Sequence, residues 1–259
     1  MRRSTYSSYL HSSEFQMANN FFQFKEFTVQ QEHCAMKVTT DACLFGAWCA
    51  AVVKSQLSTV NRLLDIGTGT GLLSLMIAQK NNNTLFDAVE IDEQAATQAA
   101  SNFHSSLWHQ RLQVQHSSIQ QFNESTNKLF DFIISNPPFF NNDLKSDDTK
   151  RNLALHSEAL SLEELLISIQ KKITESGKFA VLLPYHRTEY FEGLATKENF
   201  YLEEKISVKQ TPHHPYFRSM LLFYKQSVKT KQKEITIKDE FNDYSIEFKE
   251  LLKDYYLYL

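Results

Sequence analysis

Asn61-Arg62-Leu63-Leu64-Asp65-Ile66-Gly67-Thr68-Gly69-Thr70-Gly71 runs from a short apolar segment into three glycines at alternate positions, and an apolar stretch of helical length, Leu72 to Gln79, follows. Strand, glycine turn and helix in that order make the first half of a βαβ unit, and they predict an α/β fold with a mostly parallel sheet. Glycine at such a turn lets the backbone approach a bound molecule, and the helix after it presents unpaired N–H groups. A second strand, Leu85 to Ile91, ends in Glu90-Ile91-Asp92. An acid at the tip of that strand can accept both hydroxyls of a ribose.

Two kinds of cofactor use this unit. Dinucleotides favour G-x-G-x-x-G, whose glycines admit a pyrophosphate. Here the spacing is G-x-G-x-G, with Asp65 just ahead of it. A carboxylate aimed into the turn repels a pyrophosphate and attracts an ammonium group. S-adenosylmethionine carries that ammonium and also a ribose for Glu90, so the charge logic favours the methyl donor over NAD.

Working outward, the segment upstream offers Thr39-Thr40-Asp41 as a helix start and Ala42 to Val53 as a buried helix. Before it, Phe22, Phe24, Phe27 and Val29 fit a short hairpin or a bulged strand, and residues 1–20 read as a mobile arm. Downstream, Gln94 to Leu107 predicts a helix and Leu112 to Gln115 a third strand. That strand leads into His116-Ser117-Ser118-Ile119, where a side chain can meet the adenine amine of the donor.

The fourth strand, Leu129 to Ile134, runs into Ser135-Asn136-Pro137-Pro138-Phe139. Two prolines stop any ladder or helix and fix Asn136 at the strand's carboxyl end. The turn offers an amide carbonyl, a main-chain carbonyl and a flat ring, a set that suits a planar substrate bearing an NH2. Asn-Pro is also a common turn starter, so a purely structural turn is the other reading. Asn141 to Asn152 reads as a flexible loop beside the site. Ser161-Leu162-Glu163-Glu164 opens a helix with a capping box. Lys178 to Leu183 is the fifth strand, Thr188 to Lys197 a helix, and Phe200 to Lys209 with Phe217 to Lys225 a closing strand pair.

Composition narrows the classes. No stretch approaches the ~20 apolar residues of a membrane helix, and no apolar segment follows Arg2 and Arg3 to make a secretory signal. Three cysteines, Cys34, Cys43 and Cys49, lack C-x-x-C spacing, against both a disulfide framework and a zinc site. Cytoplasmic residence, no metal and no membrane partner are the expectations. Net charge is −3, yet Lys205, Lys209, Arg218, Lys225, Lys229, Lys231, Lys233 and Lys238 share their stretch with one acid, Glu234. Such a run is either a phosphate-attracting surface or the solvated face of edge strands.

With both motifs in view, the chain resembles the class I S-adenosylmethionine-dependent methyltransferases of the N6-adenine type. More narrowly it is similar to the bacterial tRNA1(Val) adenine-N6 methyltransferases, which modify the adenosine just 3′ of the anticodon. The likeness spans nearly everything from Phe24. It includes Phe24 to Phe27, Cys34 to Asp41, Gly46-Ala47-Trp48, Leu64 to Gly71, Asn136 to Phe140, Ala154-Leu155-His156, and Tyr244 to Leu257. Two positions depart from the pattern: Phe139 where Tyr is frequent, and Ser118 where an adenine-contacting Asp is common.

The resemblance implies a doubly wound, mostly parallel seven-stranded sheet with an antiparallel closing strand and a small N-terminal hairpin. A single methyltransferase domain is expected over residues 21–259: hairpin 21–40, core 41–228, and a terminal strand and helix in 229–259. The implied catalytic residues are Asn136, Pro137 and Phe139. The donor is expected on Asp65, Gly67, Thr68, Gly69, Gly71, Glu90, Ile91, Ser118 and Asn136. Lys37, Asp41, His156 and Arg218 are candidates for RNA or the site entrance, although Asp41 can equally be a helix cap and His156 structural. The expected partner is tRNA and the expected state a monomer. Two other readings remain: a glutamine-amide methyltransferase acting on a protein, whose substrate offers the same NH2, and a catalytically silent donor-binding scaffold.

Overall fold

The computed structural model of the chain describes residues 20–34, 36–55, 60–138 and 160–259. A two-stranded antiparallel hairpin, β1 (Phe21–Gln23) and β2 (Thr28–Gln30), precedes helix α1 (Thr40–Ser55). Then come β3 (Arg62–Ile66), α2 (Leu72–Lys80), β4 (Leu85–Glu90), α3 (Glu93–His104), β5 (Leu112–His116), α4 (Ile119–Ser125) and β6 (Phe130–Ser135). After the segment 139–159 follow α5 (Leu162–Lys172), β7 (Ile173–Pro184), α6 (Thr188–Lys197), β8 (Tyr201–Lys209), β9 (Tyr216–Tyr224), β10 (Lys231–Thr236) and α7 (Ile246–Leu252).

The main sheet has the order β10-β8-β9-β7-β6-β3-β4-β5. The strands from β7 through β5 run parallel, and β9 is antiparallel to both its neighbours. Strand order reverses between β3 and β6, so the crevice for a ligand opens at the carboxyl ends of those two strands.

Among the described residues the main sheet has eight strands where seven are expected. The additional one is β10, which pairs in parallel with β8 from Lys231↔Glu204 to Thr236↔Lys209. It carries one buried apolar side chain, Ile235. Its stability comes instead from the open edge of β8 and from ion pairs such as Lys233 Nζ to Glu204, 2.6 Å. β7 is also longer than its apolar part, because the pairing shifts register between Phe130 and Phe132 and carries the strand back to Ile173.

Helix α2 explains why the glycine turn is firmly held. Leu72 through Ala78 are all buried, so this helix has no solvent stripe and must be covered on every side. The sheet lies on one flank and α1 on another. The third is closed by the C-terminal segment, where the Tyr255 hydroxyl donates to the Met76 carbonyl at 3.0 Å and Gln79 Nε2 to the Asp254 carbonyl at 2.8 Å. The N-terminal hairpin joins there as well, Lys25 N donating to the Tyr255 carbonyl at 2.8 Å. The opposite face of the sheet is covered by α4, α5 and α6 through Ile119, Phe122, Leu165, Ile169, Phe191 and Ala195.

The run of cations from Lys205 to Lys238 is largely neutralised within the fold. Lys205 pairs with Glu192, Lys209 with Glu234, Arg218 with Asp41, Lys225 with Glu175 and Lys233 with Glu204. The edge-strand reading of this run therefore prevails over a continuous phosphate surface.

Candidate active site

β3 delivers Asp65 fully buried between β4 and β6, level with Ala88 and Ile134. Its Oδ2 accepts hydrogen bonds from Thr68 Oγ1 at 2.7 Å and Ser74 Oγ at 2.8 Å. Its Oδ1 is buried with no partner among the described residues. Burial lifts the carboxyl to about 6, the two hydroxyls pull it back, and the charge of Glu90 adds to the rise. A buried oxygen of this kind lacks a cation or donor.

The glycine turn then reverses the chain with Gly67, Gly69 and Gly71 all left-handed, at φ 70°, 55° and 82°. A Cβ on Gly69 would meet nothing within 4 Å, whereas one on Gly71 would lie 2.5 Å from Phe103 Cε1 of α3. Two variants separate these effects. Gly69→Ala bears only the left-handed backbone cost, about 1–2 kcal/mol. Gly71→Ala adds overpacking against an aromatic ring and is expected to lose about 3 kcal/mol or more. Urea midpoints of the two proteins test the difference.

Glu90, at the end of β4, is buried and braces the same turn. Its Oε2 accepts from Gly69 N at 2.8 Å and its Oε1 from Asp92 N at 3.1 Å. Each oxygen keeps a second lone pair for another donor. Ile91, next in the chain, is 53% exposed beside it. Ser117 N donates to the Glu90 carbonyl at 2.9 Å and so brings the start of α4 alongside. Ser118 serves that helix as N-cap: its Oγ accepts from Gln121 N at 3.2 Å, and the Gln121 side chain returns to Ser118 N. The Ser-x-x-Gln spacing of this capping box was available in the sequence.

Asn136 stands at the carboxyl end of β6, half-buried, with Pro137 buried and Pro138 exposed. Ser135 Oγ donates to the Ile66 carbonyl at 2.9 Å and ties the end of β6 to the start of the glycine turn. Phe139 and His156 lie outside the described residues.

The remaining candidates are held by partners of their own. Lys37 Nζ donates to the Gln31 carbonyl and, at 3.5 Å, to that of Glu32, pinning its own loop. Asp41, in the first turn of α1, accepts from Arg218 Nε at 2.7 Å, so each of the two has the other as a partner. Asp65, Gly67, Thr68, Gly69, Gly71, Glu90, Ile91, Ser118, Asn136 and Pro137 thus gather along the carboxyl ends of β3, β4, β5 and β6. Lys37 is tied to its own loop, and Asp41 and Arg218 to each other.

Three supporting residues escaped the sequence reading. Ser74 is a lone hydroxyl in an apolar helix, which was a usable signal. Ser135 looked like part of the turn. Asn102 carried no signal: buried on α3, it donates from Nδ2 to the Thr70 carbonyl at 2.8 Å and to the Gln30 carbonyl at 2.9 Å. It clamps the N-terminal hairpin to the glycine turn.

The methyltransferase small domain family matches residues 49–180. A tRNA1(Val) (adenine(37)-N6)-methyltransferase of Parabacteroides distasonis is 40% identical over 242 residues, covering 93% of this chain and 99% of the relative. One of the same name from Pseudoalteromonas translucida is 41% identical over 237 residues, covering 91% and 98%. Among solved structures, a predicted O-methyltransferase from Agrobacterium tumefaciens superposes with a TM-score of 0.63 at 14% identity, covering 83% of this chain and 96% of that one, a likeness of fold alone. With the buried aspartate, the glycine turn and the Asn-Pro-Pro turn on adjoining strands, and relatives matched over nearly their whole length, this chain belongs to the tRNA1(Val) (adenine(37)-N6)-methyltransferase family.

Proposed function

We propose that this protein transfers a methyl group from S-adenosylmethionine to N6 of an adenosine in tRNA, the one just 3′ of the anticodon in valine tRNA. The observation that carries this is the unpartnered Asp65 Oδ1 beside the glycine turn, one strand away from Asn136. The names of the relatives favour tRNA over a protein amide as substrate.

The residues present fit the donor. Asp65 Oδ1 would take its ammonium and Glu90 the ribose hydroxyls. The backbone of the glycine turn and of Ser118, with the exposed side chain of Ile91, would border the rest. When bound, S-adenosylmethionine supplies a methyl group on a sulfonium, an electrophile needing no further activation.

The chain's own task is the nucleophile. An aromatic amine is poor because its lone pair is delocalised into the ring. The Asn136 side-chain carbonyl and the Pro137 main-chain carbonyl accept its two N–H bonds, favouring a pyramidal nitrogen and fixing the lone pair's direction. Phe139 stacks on the base. N-alkylation makes the nitrogen strongly acidic, so one proton leaves through these carbonyls to water without a strong base. An anticodon loop presents its bases already partly unstacked, which lowers the cost of reaching such a pocket.

Nucleoside mass spectrometry of tRNA from a strain lacking this chain tests the reading. N6-methyladenosine missing from valine tRNA, and returning on complementation, is the expected result. An unchanged nucleoside profile refutes it.

A further inference from the structure

Beyond the methyl-transfer crevice, the same edge of the sheet carries a hollow of about 470 Å³ whose lining includes Met36, Tyr185, His186, Tyr216 and Phe217. Pro184, the last residue of β7, pairs with Arg218 at the start of β9, so Tyr185 and Tyr216 meet at that edge. Ser135 pairs with Val181 on β7. Tyr185 therefore lies on the order of 10 Å farther along the strand direction than Asn136, at about 3.3 Å per residue.

The aromatic groups here are held rather than loose. Tyr185 and Tyr216 pack with centroids 4.8 Å apart. The Tyr216 hydroxyl donates to Glu234, and Lys209 Nζ sits 4.7 Å from the centre of its ring. Arg218 stacks 5.5 Å from Phe217 while its Nε binds Asp41, which locks this strand end to α1. Even so, Tyr185 remains 37% exposed and Met36 52% exposed. Rigid rings with open apolar faces are what an unstacked nucleobase requires. Beside a crevice for a target base, they stand where the neighbouring residues of the same strand must pass.

We propose that this hollow receives a nucleobase flanking the target, stacked on Tyr185, and so holds the RNA strand while the target base enters the crevice. The inference rests on the RNA reading above. The open face of Tyr185 beside the crevice for the target base favours a flanking base of the same strand as the occupant.

The test is steady-state methylation of bulk tRNA by the full chain, compared among Tyr185→Ala, Tyr185→Trp and Tyr201→Ala. Tyr201 is equally exposed, at 37%, but begins β8 on the opposite edge of the sheet. Tyr185→Ala is expected to raise the KM for tRNA about tenfold or more, the usual effect of removing one stacking ring. Tyr185→Trp should restore it, and Tyr201→Ala should leave it unchanged. Affinity for S-adenosylhomocysteine, read by calorimetry, should match wild type in all three. Transfer to tRNA with an unaltered KM in Tyr185→Ala overturns the stacking site alone. A wild-type protein that methylates protein and no RNA overturns both this proposal and the reading beneath it.

Discussion

Asn136→Ala is expected to lower the single-turnover rate of methyl transfer about 10³-fold, comparable to the loss of a key polar contact in other preorganised sites. Donor affinity should stay close to that of wild type, because the cradle formed by Asp65, the glycine turn and Glu90 is built from β3 and β4. The fold should also survive. Asn136 is only half-buried, and the tie between β6 and β3 is made by the Ser135 hydroxyl instead. Quench-flow with labelled donor measures the rate, and calorimetry with S-adenosylhomocysteine measures the affinity. A variant that still turns over within about tenfold of wild type would show that the amine is not held at this position.

Asp65→Asn should have the reverse signature: donor binding lost, fold retained. The carboxyl ordinarily titrates near 3.8 and here near 6, raised first by burial. A raised carboxyl favours the protonated folded state, so its stabilising contribution is complete below pH 3.8 and is lost as pH rises through about 6. In the donor-free protein at neutral pH the ionised group therefore costs roughly 3 kcal/mol. Removing the charge recovers part of that, offset by an amide N–H2 that replaces Oδ1 and finds no acceptor, about 1–3 kcal/mol. The melting temperature without donor should change little.

With an ammonium in place the balance inverts, because the ionised form gains its missing partner. Asp65→Asn should then weaken donor binding on the order of 100-fold or more. Wild-type affinity should fall as the pH drops below about 6, while the variant's should stay flat from about pH 5 to about pH 8. A wild-type profile just as flat would mean that Asp65 does not face the ammonium.

Much of this site can be read along the chain because each principal residue lies within one position of a strand's carboxyl end. Asp65, Glu90 and Asn136 close β3, β4 and β6, and a parallel sheet brings successive strand ends to one edge. Helix α2 and the glycine turn were equally legible, from apolar length and glycine spacing. What stayed hidden depends on distant partners. A terminal strand is expected within 229–259, but its place in the sheet cannot be read from Lys231 to Thr236, where only Ile235 is apolar: it is set by pairing in parallel with the edge of β8. The basic run looks unbalanced in sequence because its acids, Asp41, Glu175, Glu192 and Glu204, lie outside or at the margin of the counted window. Asn102 acquires its function only when α3 lies between the hairpin and the turn.

The closure of α2 by the far end of the chain bears on how the molecule is made. Tyr255 and Asp254 bind the carbonyl of Met76 and the amide of Gln79, and Tyr255 also receives Lys25. A nascent polypeptide halted before residue 254 leaves the ribosome has its Gly67–Gly71 turn already synthesised but resting on a helix with one bare flank. Firm capture of the methyl donor therefore waits until residues 254 and 255 have been made, and a fusion partner that strains residues 253–256 would blunt cofactor uptake by way of α2.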